Sequence, residues 1–184
     1  FRSPPDEASE FELAKRIVAD PGPERGQIVQ LSLLFDQTTD LPSADRRELL
    51  VEIAERGKGY LALARFDFGT PAENEKADTT LNRLAANIFA MCRTQAGQET
   101  TPEGRQLAQR FEGFLQLAEG KIDEATKTLS PLRTKFHDVD TILKTMDRDR
   151  LRARNLAALG VMREYTREGK EAGLDQASGL GGWV

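Results

Sequence analysis

Apolar residues recur along this chain every three or four positions, and Val, Ile and Thr are scattered without ever forming a run that reads as a strand. That spacing predicts helices. Phe11, Ala14, Ile17 and Val18 share one face of a first helix, which follows Pro4-Pro5, is capped by Asp6 or Ser9 and stops at Asp20-Pro21-Gly22-Pro23. Ile28, Leu31, Leu34 and Phe35 mark a second over about 24–36. A third, over about 44–68 with Ser43 as its cap, carries Leu49, Leu50, Ile53, Tyr60, Leu61 and Leu63, with Gly57 and Gly59 inside it. Gly69-Thr70-Pro71 separates it from a fourth over about 72–95, whose face is Leu81, Leu84, Ala85, Ile88, Phe89 and Cys92. Thr101 as cap and Pro102 in the first turn open a fifth over about 102–118. Gly120-Lys121 turns the chain into a sixth over about 122–135, where Pro131 should loosen the last turn. Asp138 is placed to cap a final segment reaching about 168, in which the charged stretch 147–154 either divides two helices or forms an exposed face. Residues 169–184 read as a Gly-rich tail. The expectation is an all-α protein of about seven helices, built as antiparallel hairpins in a solenoid or compact bundle, with 1–168 as one domain.

Two stretches share a pattern. Gly59-Tyr60-Leu61-Ala62-Leu63-Ala64 resembles Gly113-Phe114-Leu115-Gln116-Leu117-Ala118, and Ala77, Leu81 and Leu84 follow the first as Ala125, Leu129 and Leu132 follow the second. A glycine inside a helix costs about 1 kcal/mol relative to alanine. Two in matched contexts point to close helix approach, Gly59 towards Ala77 and Gly113 towards Ala125. A duplicated hairpin of this kind indicates a stacked-helix scaffold.

The segment Phe111–Leu132, with its Gly113, its junction Gly120-Lys121-Ile122-Asp123-Glu124-Ala125 and its Leu129, resembles the tetratricopeptide-like superfamily. The two copies lie 54 residues apart, against about 34 in that family. The first copy carries an insertion around Thr70–Glu75, and Leu132 stands where the family has a small residue. The resemblance implies a divergent stack of α-hairpins that binds a peptide or partner protein on a concave face. No binding residue carries over from it.

Composition narrows the chemistry. Hydrophobic residues make up 39% of the 184 positions, enough for a core, and charged residues 30%. The net charge of −4 argues against a general nucleic-acid binder. One cysteine, Cys92, removes internal disulfides and cysteine-based metal clusters, and a single histidine, His137, removes most zinc and His-dependent catalytic schemes. Cys92 belongs to an apolar stripe, and His137 reads as a loop or capping residue. Glu73 and Glu75 are two apart and share no helix face, while Asp123-Glu124 sits where acids favour a helix N-terminus. Gly179-Leu180-Gly181-Gly182 precedes no helix and so does not cradle a phosphate. No run reaches the roughly 18 apolar residues of a membrane span. The chain begins at Phe1, which fits either a trimmed chain or a removed targeting segment.

The function these features favour is a non-catalytic protein-interaction module, an adaptor or a structural subunit of a complex, with no cofactor or metal assigned. Arg150, Arg154 and Trp183 are the candidate partner-binding residues. A helical enzyme or its supporting subunit, with a small-molecule groove, is the alternative. An RNA-associated protein using Arg148, Arg150, Arg152 and Arg154 is a third, although Asp147 and Asp149 interrupt that run.

Overall fold

The protein is all-α. A computed structural model describes residues 7–38 and 40–148, and among these there is no strand. Its helices are α1 (Glu7–Ala19), α2 (Gly22–Asp36), α3 (Ser43–Leu63), α4 (Pro71–Gly97), α5 (Pro102–Ala118) and α6 (Ile122–Leu129), followed by a single 3-10 turn at Ser130–Leu132. Residues 137–148 are also helical. The chain divides into two units, Phe1–Val139 and Asp140–Val184, and α1 to α6 all belong to the first. The expected boundary at 168/169 lies outside the described residues.

The ends of these helices follow from local chemistry. Thr101 Oγ1 accepts the Gly104 N–H at 3.1 Å with Pro102 next in line, as its sequence indicates. Thr70 caps α4, its Oγ1 accepting the Glu73 N–H at 3.2 Å while the hydroxyl donates to Glu73 Oε2 at 2.7 Å. Ser43 does not cap α3: the helix begins on it, Pro42 precedes it, and no side chain satisfies the first N–H groups. α5 ends in a Schellman motif, with Lys121 N–H on Gln116 O at 2.8 Å and Gly120 N–H on Leu117 O at 3.0 Å. Gly120 has φ +74° there, a conformation that only glycine adopts without strain. Pro131 shortens α6 as expected, and its last turn tightens into the 3-10 segment.

α3 stops at Leu63, five residues before the expected end. The chain leaves the helix so that Phe66 and Phe68 both pack on Phe11 of α1, with ring centroids 5.5 and 5.4 Å apart. Asp67 then accepts from the Gly69 N–H at 2.9 Å and from Asn74 Nδ2 at 3.1 Å, which fixes the loop ahead of α4. The first of these bonds chiefly holds the Asp67 carboxyl below its usual range.

α4 is the centre of the fold. It packs against α1, α2, α3 and α5. Ala77, Leu81, Ala85, Ile88, Phe89 and Cys92 are all fully buried along it, spaced to face several neighbours at once. Phe89 lies 5.4 Å from Phe114 of α5, the rings inclined at 55°. On its other side it meets Gly57 of α3, where an added Cβ would stand 2.8 Å from the Phe89 ring and 3.2 Å from Ile88 Cγ2.

This arrangement corrects the expected glycine pairing. Gly59 is exposed, and a Cβ there would meet nothing within 4 Å. The packing glycine of α3 is Gly57. Gly113 does occupy a close helix contact, but beneath Leu129: a Cβ would overlap Leu129 Cγ and Cδ2. The two hairpins still present corresponding core stripes. Leu50, Ile53, Gly57 and Tyr60 of α3 are buried, as are Gly104, Leu107, Phe111 and Phe114 of α5, 54 positions on. The second helices correspond at Ala77, Leu81 and Leu84 against Ala125, Leu129 and Leu132, all buried. The glycine faces a phenylalanine in one hairpin, and the phenylalanine occupies that stripe position in the other. In α2, Ile28 and Phe35 are buried as expected, but Leu34 is exposed.

Gly113→Ala is expected to destabilise by about 1–3 kcal/mol through overpacking. Gly59→Ala is expected to stabilise by about 0.5–1 kcal/mol, because open helix surface gains from alanine. Urea denaturation of the two variants checks the pair, and equal shifts would remove the assignment.

Candidate functional site

Two features of the first unit carry polar groups into or beside the core. The first is built around Arg110, which follows Leu107 by three positions on α5 and precedes Phe111. It is 5% exposed. Its guanidinium lies over the rings of Phe136 and Phe114, at 4.8 and 5.6 Å from their centroids. Nη2 donates to Asp138 Oδ2, and Lys58 Nζ of α3 donates to the same oxygen at 2.9 Å. Lys58 also pairs with Glu55, one turn earlier. Burial pushes the Asp138 carboxyl up, but the bonds from Arg110 and Lys58 outweigh it and hold the group below the usual carboxylate range. Such a carboxylate stays ionised and paired near neutral pH, so the cluster acts as a tie between α3, α5 and the residues after α6. Arg110 Nε is buried without a hydrogen-bond partner. Asp138 is therefore not the expected cap. Helix begins at residue 137, so Asp138 lies within it, and its Oδ1 accepts the Val139 N–H at 2.9 Å.

The second feature is an open groove of about 500 Å³ between α3 and α5. Arg47, Glu48 and Val51 line it from α3, and Glu103, Gln106 and Leu107 from α5. Lys135 and Phe136, from the segment after α6, line it as well. Val51 and Phe136 supply its apolar surface, with the buried Leu107 adding little, among charges of both signs. The wall at Arg47 is set by Glu99 at the α4–α5 junction, whose Oε1 accepts from Arg47 Nη1 at 2.9 Å. Glu99 is held against Gly104, where a Cβ would stand 2.6 Å from its own Cβ. Phe136 belongs to both features: one side of it stacks on Arg110 and it also lines the groove. Two smaller cavities of about 190 Å³ each lie elsewhere, one at the α2–α3–α4 junction that Arg47 also lines and one between α1 and the start of α4.

The candidate residues Arg150, Arg154 and Trp183 lie outside the described residues, as does Arg152. Arg148 is exposed, and so is His137. Cys92 is fully buried, its thiol pointing at the Leu50 carbonyl 3.7 Å away, and burial pushes its pKa up to about 12. A thiol in that state is a packing group and a poor nucleophile. The Glu73 carboxylate accepts from the Thr70 hydroxyl at the start of α4, and Asp123 and Glu124 occupy the first turn of α6. Among the described residues no three His, Cys, Asp or Glu side chains stand close enough to hold a metal ion, and no helix is long and apolar enough to cross a membrane.

Reading the sequence missed Arg110, Lys58 and the groove. Arg110 had a signal: with Leu107, Phe111 and Phe114 it falls on one helix face at spacings of three and four, so a charge was written into a core stripe. The groove had none, because its walls come from helices more than 50 residues apart. Comparison of the chain with protein-family models, curated proteins and solved structures gave no match.

Removal of the Asp138 charge tests the tie. Because its folded pKa lies below the unfolded value of about 3.9, its contribution is full above that value and is lost as pH falls through the folded pKa. Asp138→Asn is expected to cost about 3 kcal/mol at pH 7, since it leaves a buried guanidinium unpaired. Urea midpoints of variant and wild type should converge as pH is lowered below about 4. A gap that persists unchanged into acid would show that the carboxylate's charge is not what matters.

Proposed function

We propose that this chain is a non-catalytic protein-interaction module, an adaptor or structural subunit, that takes a peptide segment of its partner in the groove between α3 and α5. The observation that carries this reading is the groove itself: about 500 Å³, open, with Val51 and Phe136 as apolar surface among Arg47, Glu48, Glu103 and Lys135. An enzyme site would gather polar side chains around an enclosed pocket. Here the polar groups stand around an apolar strip, which suits one or two apolar anchor residues of a peptide flanked by charges of both signs. α3 and α5 are the first helices of the two hairpins with corresponding core stripes, and the resemblance of Phe111–Leu132 to the tetratricopeptide-like superfamily supports the same reading. The tie through Arg110 helps to fix the groove's wall, since it clamps Phe136 by its ring face. A rigid wall lowers the ordering cost of binding.

Peptides selected from a display library on the intact protein provide the test, read by fluorescence polarisation. Val51→Glu and Lys135→Glu are each expected to weaken the selected peptides by about tenfold, equivalent to about 1.4 kcal/mol. Gly59→Ala, away from the groove, should leave affinity unchanged. Peptides that bind both groove variants as tightly as wild type would place the binding face elsewhere.

A further inference from the structure

We infer that the outward face of α2 is where two copies of this chain meet, with their α2 helices antiparallel. The inference is independent of the groove. Val29 and Leu33 are each 58% exposed and Leu34 is 55% exposed, the most open large apolar side chains among the described residues. Gly26, with Val29 and Gln30 three and four positions on, and Leu33, four after Val29 and three after Gln30, share a helix face. A Cβ on Gly26 would meet nothing within 4 Å. Elsewhere in this fold, Gly57 and Gly113 sit inside helices because a neighbour presses on them. Gly26, like Gly59, has no such neighbour in its own chain, so its bare backbone leaves open room on this face.

The charges around this face indicate what covers it. Arg25, Val29, Ser32 and Asp36 form a single line along α2, at spacings of four, three and four. Laid antiparallel against itself, that line maps onto itself with its ends exchanged. Arg25 of each copy then stands opposite Asp36 of the other, giving two symmetric ion pairs, as a two-fold interface requires. In the same register Leu33 of one copy falls between Gly26 and Gln30 of the other, where the missing side chain leaves room for it. Arg25 makes no ion pair among the described residues, and Asp36 is exposed with Oδ1 accepting from Gln95 Nε2 at 2.9 Å. An anionic membrane surface is a poorer fit, since one cation and one anion flank the strip and the chain carries −4 overall. One helix pair makes a small interface, so the dimer is weak and concentration-dependent.

Sedimentation equilibrium of the intact chain tests this between about 1 and about 300 µM, a range that brackets micromolar to submillimolar association. The weight-average mass should rise from monomer towards dimer across it. Leu33→Glu, at an exposed position that the fold does not need, should abolish the rise. Arg25→Asp and Asp36→Arg should each raise the dissociation constant by about tenfold, and the two together should restore it. That restoration separates the interface from any loss of the Asp36–Gln95 contact, which Arg25→Asp does not repair. A wild-type chain that remains monomeric throughout overturns the inference, whether the face is bare or takes some other protein. A dimer that survives Leu33→Glu, or charge variants that fail to rescue one another, overturns it equally.

Discussion

Phe89 is the residue around which the hairpins are assembled. It sits on the central helix, α4, with its ring tilted against Phe114 of α5 and its Cε1 and Cζ atoms against the bare backbone of Gly57 in α3. A buried phenylalanine contributes roughly 1.5–3 kcal/mol, and here the same ring serves two interfaces. Close-packed interiors transmit such a constraint, because there is no free volume to absorb a displaced ring. The α3–α4 and α4–α5 contacts therefore share one register. The groove between α3 and α5 exists because α4 holds those two helices apart from behind.

The polar groups reinforce what the core sets. Glu99, seated on Gly104, aims Arg47; Arg110, stacked on Phe136, aims Asp138. In each case an aromatic ring or a glycine fixes one partner, and the charge then fixes the other. Buried ion pairs add little net stability compared with apolar packing of the same volume. Their value here lies in placing two edges of the groove by bonds with defined directions. Tyr60 does the same for α2, donating its hydroxyl to Glu24 from a largely buried position, and that burial first, then the bond and charge of Glu24, raises the phenol's pKa.

The all-α fold and most helix boundaries were legible from spacing and caps, because both are local: Thr70, Thr101, Gly120 and Pro131 act within a turn of themselves. The packing glycine was legible in kind and misplaced by two residues. Aligning the two Gly-aromatic-Leu motifs made Gly59 the counterpart of Gly113, yet the buried stripe of α3 runs Leu50, Ile53, Gly57, Tyr60. A shift of two positions turns a helical residue about 200°, enough to move it from core to water. α5 differs because it is covered by α6 as well as α4, so it buries a wider face and can use both Gly104 and Gly113. That breadth depends on neighbours, and no window of sequence contains them. The same reason hid the groove, and it hid α3's early end, which is decided by Phe11 more than 50 residues away.

Lys58 and Asp138 lie 80 positions apart in the chain. In an open array of hairpins each unit touches only the next, and the terminal one can fray while the others persist. A bond from α3 to the residues beyond α6, sharing its oxygen with Arg110, closes that array into a ring of dependencies. Peeling away the last hairpin, which carries Arg110 and Asp138 with it, strands Lys58 of α3 without that carboxylate. The stability of the first hairpin is thereby coupled to that of the second, where an open array would couple neighbours through packing alone.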